Sequence, residues 1–199
     1  MNCFVKNVIE RKGIILNKEN GEMKRILIVV LSCLLISNLA FAEWTTGGKP
    51  GTEPDGFRGI KWGTSIDDLT GMEYTGTHPD YSGVSTYTKD NDDLKIGTAN
   101  LKLVEYNFWQ GRFNAVVIRT VGWINWYRLR IATFEKFGAG DQSNEDIEKF
   151  FWRGHRTTIY LKYNPTTKEG SLLIASTVIM EEIEAWDERK AREGAETGF

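Results

Sequence analysis

The sequence predicts an α+β fold, in which an antiparallel sheet of about five to six strands carries two to three helices packed on one face. Two observations predict this class. Most β-prone segments are joined by short turns, and tight turns connect antiparallel neighbours, whereas parallel strands need a long crossover between them. Helical patterns occur before, between and after two groups of such segments, so that each group can form hairpins.

The clearest predicted hairpin joins residues 101–109 to residues 112–121 through Gln110 and Gly111. A two-residue connection with Gly is typical of a tight β-turn, because Gly readily takes positive φ. The second of these segments is apolar on both faces, which predicts a central position in the sheet. The remaining β-prone segments are residues 83–88, 149–152, 157–163 and 171–178.

Three helices are predicted. Thr64 or Ser65, each followed three residues later by Asp, favours the start of a short helix that ends near Gly71. Residues 123–137 have apolar side chains at three-to-four spacing and are followed by Gly138, which indicates an amphipathic helix with a glycine stop. The last predicted helix spans residues 180–191 and has a charged exposed side.

Residues 23–42 have the organisation of a secretory signal peptide: a basic start, an apolar run, and the small residues Ala40 and Ala42 placed for cleavage before Glu43. Met23 is then the better start, and residues 1–22 are expected to lie upstream of the translated chain. The sequence therefore predicts an exported bacterial protein, periplasmic or secreted, without stable membrane insertion after cleavage. Two alternatives tether it to a membrane, either through an uncleaved segment 26–42 or through a lipid on Cys33.

Composition narrows the remaining possibilities. The chain has 25 Lys and Arg against 27 Asp and Glu, a net charge of −2, so it lacks the basic character of a nucleic-acid-binding protein. Both cysteines, Cys3 and Cys33, precede the expected cleavage site, which leaves no disulfide or thiol nucleophile in the exported form. Glycine, proline and threonine dominate the start of that form. The expected organisation is a flexible linker at 43–56, a single α+β domain at 57–192 and a loose tail at 193–199.

The residues that usually carry chemistry do not form a recognisable site, and we predict no catalytic, metal or cofactor-binding residues. His78 and His155 lack a His or Cys at ligand spacing. Asp90 to Asp93 resembles the start of a calcium loop, but Lys95 stands where the loop needs glycine and Leu101 where it needs glutamate. No serine occupies a Gly-x-Ser-x-Gly elbow.

The densest mixture of aromatic and basic residues lies in segment 150–156. This pattern favours a hairpin with buried rings and a charged turn, and the alternative is a small binding edge. The residues of the predicted edge are Phe151, Trp152, Arg153, His155 and Arg156.

Three short motifs carry a resemblance to a class of small exported bacterial proteins of unknown function. They are R-G-I-x-W-G-x-S at 58–65, F-x-K-F-G at 134–138 and I-x-L-x-Y-N at 159–164. The resemblance covers residues 57–178. The order of helix and hairpins is also similar to β-lactamase-inhibitor-like envelope modules, and this likeness implies protein binding by a sheet face. Neither resemblance matches a functional residue of those proteins to a position in this sequence.

We therefore expect a non-enzymatic binding or interaction module of the periplasm or cell envelope. Its expected partner is another envelope protein or a peptide, contacted through an exposed sheet face or an aromatic patch. The alternative is an envelope hydrolase that acts through carboxylates brought together only by the fold.

Overall fold

The computed structural model of the protein describes residues 44–78 and 83–198, with side chains up to residue 196. The upstream segment 1–22, the expected signal peptide with Cys33, and the cleavage residues Ala40, Ala42 and Glu43 lie outside the described residues. The strands are β1 (Trp44–Thr46), β2 (Gly56–Phe57), β3 (Ile60–Lys61), β4 (Met72–Thr77), β5 (Val84–Lys89), β6 (Lys95–Ile96), β7 (Ala99–Asn100), β8 (Leu103–Trp109), β9 (Arg112–Val121), β10 (Lys149–Gly154), β11 (Thr157–Asn164) and β12 (Glu169–Ser176). The helices are a 3-10 turn (Ile66–Asp68), α1 (Trp123–Phe137) and α2 (Thr177–Gly198).

The predicted α+β class with an antiparallel sheet is confirmed. Eight strands form the main sheet in the order β1-β10-β11-β12-β9-β8-β5-β4, and every neighbouring pair is antiparallel. The expected count of five to six strands is too low, because β1 and β4 extend the two ends. Both have weak strand signals: β1 is only three residues long, and β4 is interrupted by a bulge between Tyr74 and Gly76.

One face of the sheet, here called the inner face, packs against α1. Trp126 and Leu129 of this helix are completely buried. They contact a core formed by alternate residues of the central strands, among them Val116 and Ile118 of β9 and Ile174 of β12. Residues 57–69 add Phe57, Ile60, Trp62, Ile66 and Leu69 to the same core. The central strands of this face are therefore covered by residues 57–69 and α1, while Tyr74 at its β4 end stays exposed.

The other face, here called the outer face, packs against α2. Val84 and Trp109 are paired across β5 and β8, and they form a second buried cluster with Ile179 and Ile183 of α2. The expectation of all helices on one face is therefore wrong. The physical reason is that α1 and residues 57–69 already cover the inner face, while the apolar outer-face residues of β5 and β8 still need cover.

The two ends of the domain also differ from the sequence expectation. The segment 43–56 is expected to be a flexible linker, yet its Trp44–Thr46 pairs with β10, and the ring of Trp44 packs 6.1 Å from that of Phe137. Helix α2 continues to Gly198 rather than ending near residue 191. Its last turns carry the ion pairs Lys190–Glu193 and Arg192–Glu188, at the helical spacings that support an exposed helix.

The first resemblance motif turns out to hold the fold together. Arg58 donates to Asp92 at 2.5 Å and to the backbone oxygen of Lys95 at 3.1 Å, which ties the β2–β3 turn to the turn before β6. Trp62 donates to Thr157 at 2.8 Å, and its ring lies 4.9 Å from that of Phe113. In the described part of the chain, no helix is long and apolar enough to cross a membrane.

Candidate ligand-binding face

The structure does not bring the five residues of the predicted binding edge to one surface. Trp152 belongs to the inner core, is completely buried, and donates from Nε1 to the backbone oxygen of Gly138 at 3.2 Å. Trp152 is therefore unavailable to a partner, and the prediction that it belongs to a binding edge is wrong. His155 and Arg156 are exposed in the turn between β10 and β11, while Phe151 and Arg153 lie on the outer face.

Strand β10 is also not a free edge. Strand β1 pairs with Arg153 and Gly154, and Asp141 forms an isolated antiparallel bridge to Phe151. The backbone groups that an added strand would need are thus partly occupied. A binding surface involving β10 must use the outer face of the sheet rather than its edge.

A row of polar and basic side chains crosses four strands of the outer face. Lys149 of β10 pairs directly with Lys162 of β11, Lys162 with Ser171 of β12, and Ser171 with Arg119 of β9. We call these four residues the cationic row. Its Lys149, Lys162 and Arg119 are exposed. Like charges directly opposite each other in a sheet are destabilising, so the Lys149–Lys162 pair is unfavourable for folding alone.

A row of apolar and aromatic side chains runs beside the cationic row, two residues further along each strand. Phe151 pairs with Tyr160, Tyr160 with Leu173, and Leu173 with Val117. We call these four residues the aromatic row. All four are half-buried, so each presents part of its apolar surface to solvent. The two rows lie about 7 Å apart along the strands, within reach of one ligand.

The charges of the cationic row are only partly balanced by the fold, because the charge of Arg119 interacts with the carboxylate of Glu169. Among the described residues, Lys149, Lys162 and Arg119 take part in no ion pair within 4.0 Å. Three acidic residues of the sheet share this face. Glu73 lies at its far end on β4, and Glu105 lies beside the aromatic row. Glu169 is already paired with Lys102 at 2.9 Å, whose hydrogen bond lowers the pKa of Glu169. The row therefore forms a basic patch on a chain that is slightly acidic overall.

A cavity of about 200 Å³ lies between these rows and α2. We call it the outer-face cavity. Its apolar wall includes Val117, Leu173 and Ile183, and Arg119 and Lys162 of the cationic row border it. The complete lining is His78, Val84, Asn107, Asn114, Ala115, Val117, Arg119, Tyr160, Lys162, Ser171, Leu173, Met180 and Ile183.

Two buried asparagines in this cavity are incompletely hydrogen-bonded. Asn107 is 5% exposed and Asn114 is 2% exposed, and the Oδ1 atom of each has no hydrogen-bond partner among the described residues. Asn114 donates to the sulfur of Met180 at 3.8 Å, a weak acceptor. An unsatisfied buried acceptor costs about 1–3 kcal/mol, so both oxygens are candidates for contact with a ligand.

A β-bulge places Asn114 in the cavity. Asn107 pairs with Ala115 and Phe108 pairs with Phe113, so Asn114 is the extra residue of β9. Because of the bulge, Asn114 and Ala115 both lie on the outer face and line the cavity, while Phe113 and Val116 on either side of them enter the inner core. The sequence shows no signal for this bulge, which explains why Asn114 was not predicted as a site residue.

The acidic turn that resembles a calcium loop has a structural role. The carboxylate of Asp92 accepts hydrogen bonds from Arg58 at 2.5 Å and from the hydroxyl of Tyr106 at 2.9 Å. Burial raises the pKa of Tyr106, and the hydrogen bond to Asp92 raises it further. Within the described ranges, no group of three or more His, Cys, Asp and Glu is placed to hold a metal ion.

Two surface depressions are each bordered by two carboxylates, Glu53 with Asp55 in one and Asp55 with Glu182 in the other. Each carboxylate already has a cationic partner: Glu53 lies 3.8 Å from Arg156, Asp55 lies 3.7 Å from Lys61, and Glu182 lies 2.5 Å from Arg112. Carboxylates held in separate ion pairs do not resemble the acid and base of a hydrolase, one of which must stay protonated. These depressions therefore give no support to the hydrolase alternative.

Comparisons of the chain with protein-family models, with curated proteins and with solved structures give no match.

Proposed function

We propose that this protein is a non-enzymatic binding module of the bacterial cell envelope, and that its outer face binds an acidic segment of another envelope protein or peptide. The proposal includes export with removal of residues 23–42. Retention on a membrane, through segment 26–42 or through Cys33, is the alternative location. The observation that carries the proposal is the cationic row beside the aromatic row.

The chemistry of the two rows favours a partner with carboxylates next to apolar groups. The row of Lys149, Lys162 and Arg119 offers donors and positive charge without acceptors, which suits carboxylates. The half-buried rings of Phe151 and Tyr160 offer apolar contact area beside those charges. Aromatic residues and arginine are enriched in protein-binding surfaces because they bury large areas at low entropic cost.

The unfavourable pairing of Lys149 with Lys162 supports the same conclusion. The lysines face each other across β10 and β11 with no carboxylate bridging them among the described residues. An acidic partner would relieve this repulsion on binding, so the same pair that weakens folding strengthens association.

Fluorescence anisotropy with a labelled short peptide of Glu, Leu and Gly tests the proposal. The peptide should bind with an affinity that falls as salt rises, and a peptide with Lys in place of Glu should not bind. The double variant K149E/K162E should bind the acidic peptide at least about tenfold more weakly, which corresponds to about 1.4 kcal/mol.

The matched control is K89E/K136E, which reverses two exposed lysines of β5 and α1 and changes the net charge equally. This control should bind the acidic peptide within about twofold of the unchanged protein. Equal loss in both double variants would show that net charge, rather than the outer face, governs binding. Absence of binding to the acidic peptide at low salt would contradict the proposed function.

A further inference from the structure

We infer that the outer-face cavity is a binding site for a small organic acid that carries a hydroxyl or amino group next to a short apolar chain. The inference concerns the same face as the proposed function and shares Arg119 and Lys162 with it, but it depends in addition on the buried Asn107 and Asn114. It does not require a peptide partner.

The two asparagines call for a hydrogen-bond donor. Both Oδ1 atoms accept from no described group, although the side chains are almost completely buried. Apolar residues at these positions would serve folding better, because they would fill space without leaving a buried acceptor unmatched. A ligand hydroxyl or ammonium group would supply the missing donor.

The basic residues call for an anion. Arg119 and Lys162 border the cavity on either side of Ser171, and none of the described residues that line it is acidic. The guanidinium of Arg119 can bind both oxygens of one carboxylate, and Lys162 adds a second charge at the same place. Glu169 lies outside the lining and its charge interacts with Arg119, but Glu169 is already paired with Lys102 at 2.9 Å, so Arg119 and Lys162 keep positive charge for a ligand carboxylate.

The apolar wall and the volume limit the size of the ligand. Val117, Leu173 and Ile183 offer contact to an aliphatic chain. The cavity volume of about 200 Å³ is somewhat larger than the roughly 150 Å³ of an apolar cavity that holds benzene. The ligand is therefore of the size of a branched hydroxy or amino acid with a side chain like that of leucine.

Isothermal titration calorimetry with four related probes tests each part of the inference. The probes are 2-hydroxy-4-methylpentanoate, leucine, 4-methylpentanoate and 3-methyl-1-butanol. Either of the first two should bind. Removal of the donor in 4-methylpentanoate should weaken binding at least about tenfold, and 3-methyl-1-butanol, which lacks the carboxylate, should not bind.

The variant N107L tests the role of the buried acceptor. Leucine fills part of the cavity and removes the unmatched oxygen, so N107L should lose at least about tenfold in affinity for the best probe and should melt at a higher temperature than the unchanged protein. The control N100L changes an exposed asparagine on β7 and should bind the probe normally. If N107L does not fold, the variant R119M provides the test, because Arg119 is at an exposed position. R119M should lose affinity for the carboxylate probes.

The outcomes separate this inference from the proposed function. N107L should keep the affinity for the acidic peptide within about twofold, because Asn107 lies outside both rows. If none of the four probes binds, or if N107L binds them unchanged, the cavity holds only water and the inference is overturned, whatever the peptide result. Loss of peptide binding with retained probe binding would overturn the proposed function alone.

Discussion

Replacement of Glu53 should release the N-terminal segment from the sheet. The side chain of Glu53 is completely buried, and its Oε1 accepts hydrogen bonds from the backbone N–H groups of Arg156 at 2.5 Å and Thr157 at 2.8 Å. Hydrogen bonds to a charged group contribute about 1.5–3 kcal/mol each. The variant E53A should therefore lower the free energy of unfolding by about 3–5 kcal/mol, while E53Q, which keeps a neutral acceptor, should lower it by about 1–2 kcal/mol.

Urea denaturation followed by tryptophan fluorescence measures these changes, and hydrogen exchange shows where they act. In E53A the amides of β1 should exchange faster, together with the turn between β10 and β11, because Glu53 joins the two. If E53A lowers the free energy of unfolding by less than about 1 kcal/mol, the reasoning is refuted. The two hydrogen bonds from the backbone N–H groups to Glu53 would then contribute little to stability. The matched control is D55N, at an exposed carboxylate two positions away, which should change stability by less than about 0.5 kcal/mol.

Two further predictions follow from local contacts, and a third follows from the expected signal peptide. Because the pKa of Tyr106 is raised by burial, its stabilising contribution is full below pH of about 10 and declines as pH rises further, so Y106F should flatten the loss of stability measured by alkaline denaturation. Because Lys102 lowers the pKa of Glu169, K102M should raise that pKa in an NMR carboxyl titration, and the pair's contribution to stability should fade as pH drops through the lowered value. N-terminal sequencing of the protein recovered from a bacterial envelope fraction should begin at Glu43, whereas a start at Met23 or a lipid on Cys33 would place the domain on a membrane.

Much of the central sheet could be predicted from the sequence because its signals are local. The hairpin of β8 and β9, with Gln110 and Gly111 at its turn, is confirmed, and so is helix α1 with its stop at Gly138. The cap expected at Ser65 is also present, since its hydroxyl accepts from the backbone of Asp67 at 3.3 Å. In each case the residues that give the signal are close in sequence to the residues whose structure they determine.

The binding face could not be predicted because its residues meet only through strand pairing. Lys149 and Arg119 lie thirty residues apart in the chain, in strands that are separated in the sheet by β11 and β12. The register that aligns them depends on three separate pairings, and a shift by one residue would move every side chain to the other face. The same limit explains Trp152: its place beside Phe151 suggested a common surface, but alternate residues of a strand point to opposite faces.

The helix α2 was misplaced for a related reason. Its amphipathic pattern shows that Ile179 and Ile183 need a partner, but the pattern does not say which face of the sheet offers one. Only the pairing of Val84 with Trp109 creates the apolar patch on the outer face. That pairing joins β5 to β8, which the chain separates with the small β6–β7 hairpin.

An NMR titration of the isotopically labelled protein with the acidic peptide locates the binding surface residue by residue. The largest chemical-shift changes should fall on the strands of the two rows, at Lys149, Phe151, Tyr160 and Lys162, with little change on α1. Shifts centred on α1 or on other residues of the inner face would contradict the claim that the outer face is the binding surface. The absence of shifts at low salt would contradict it as well.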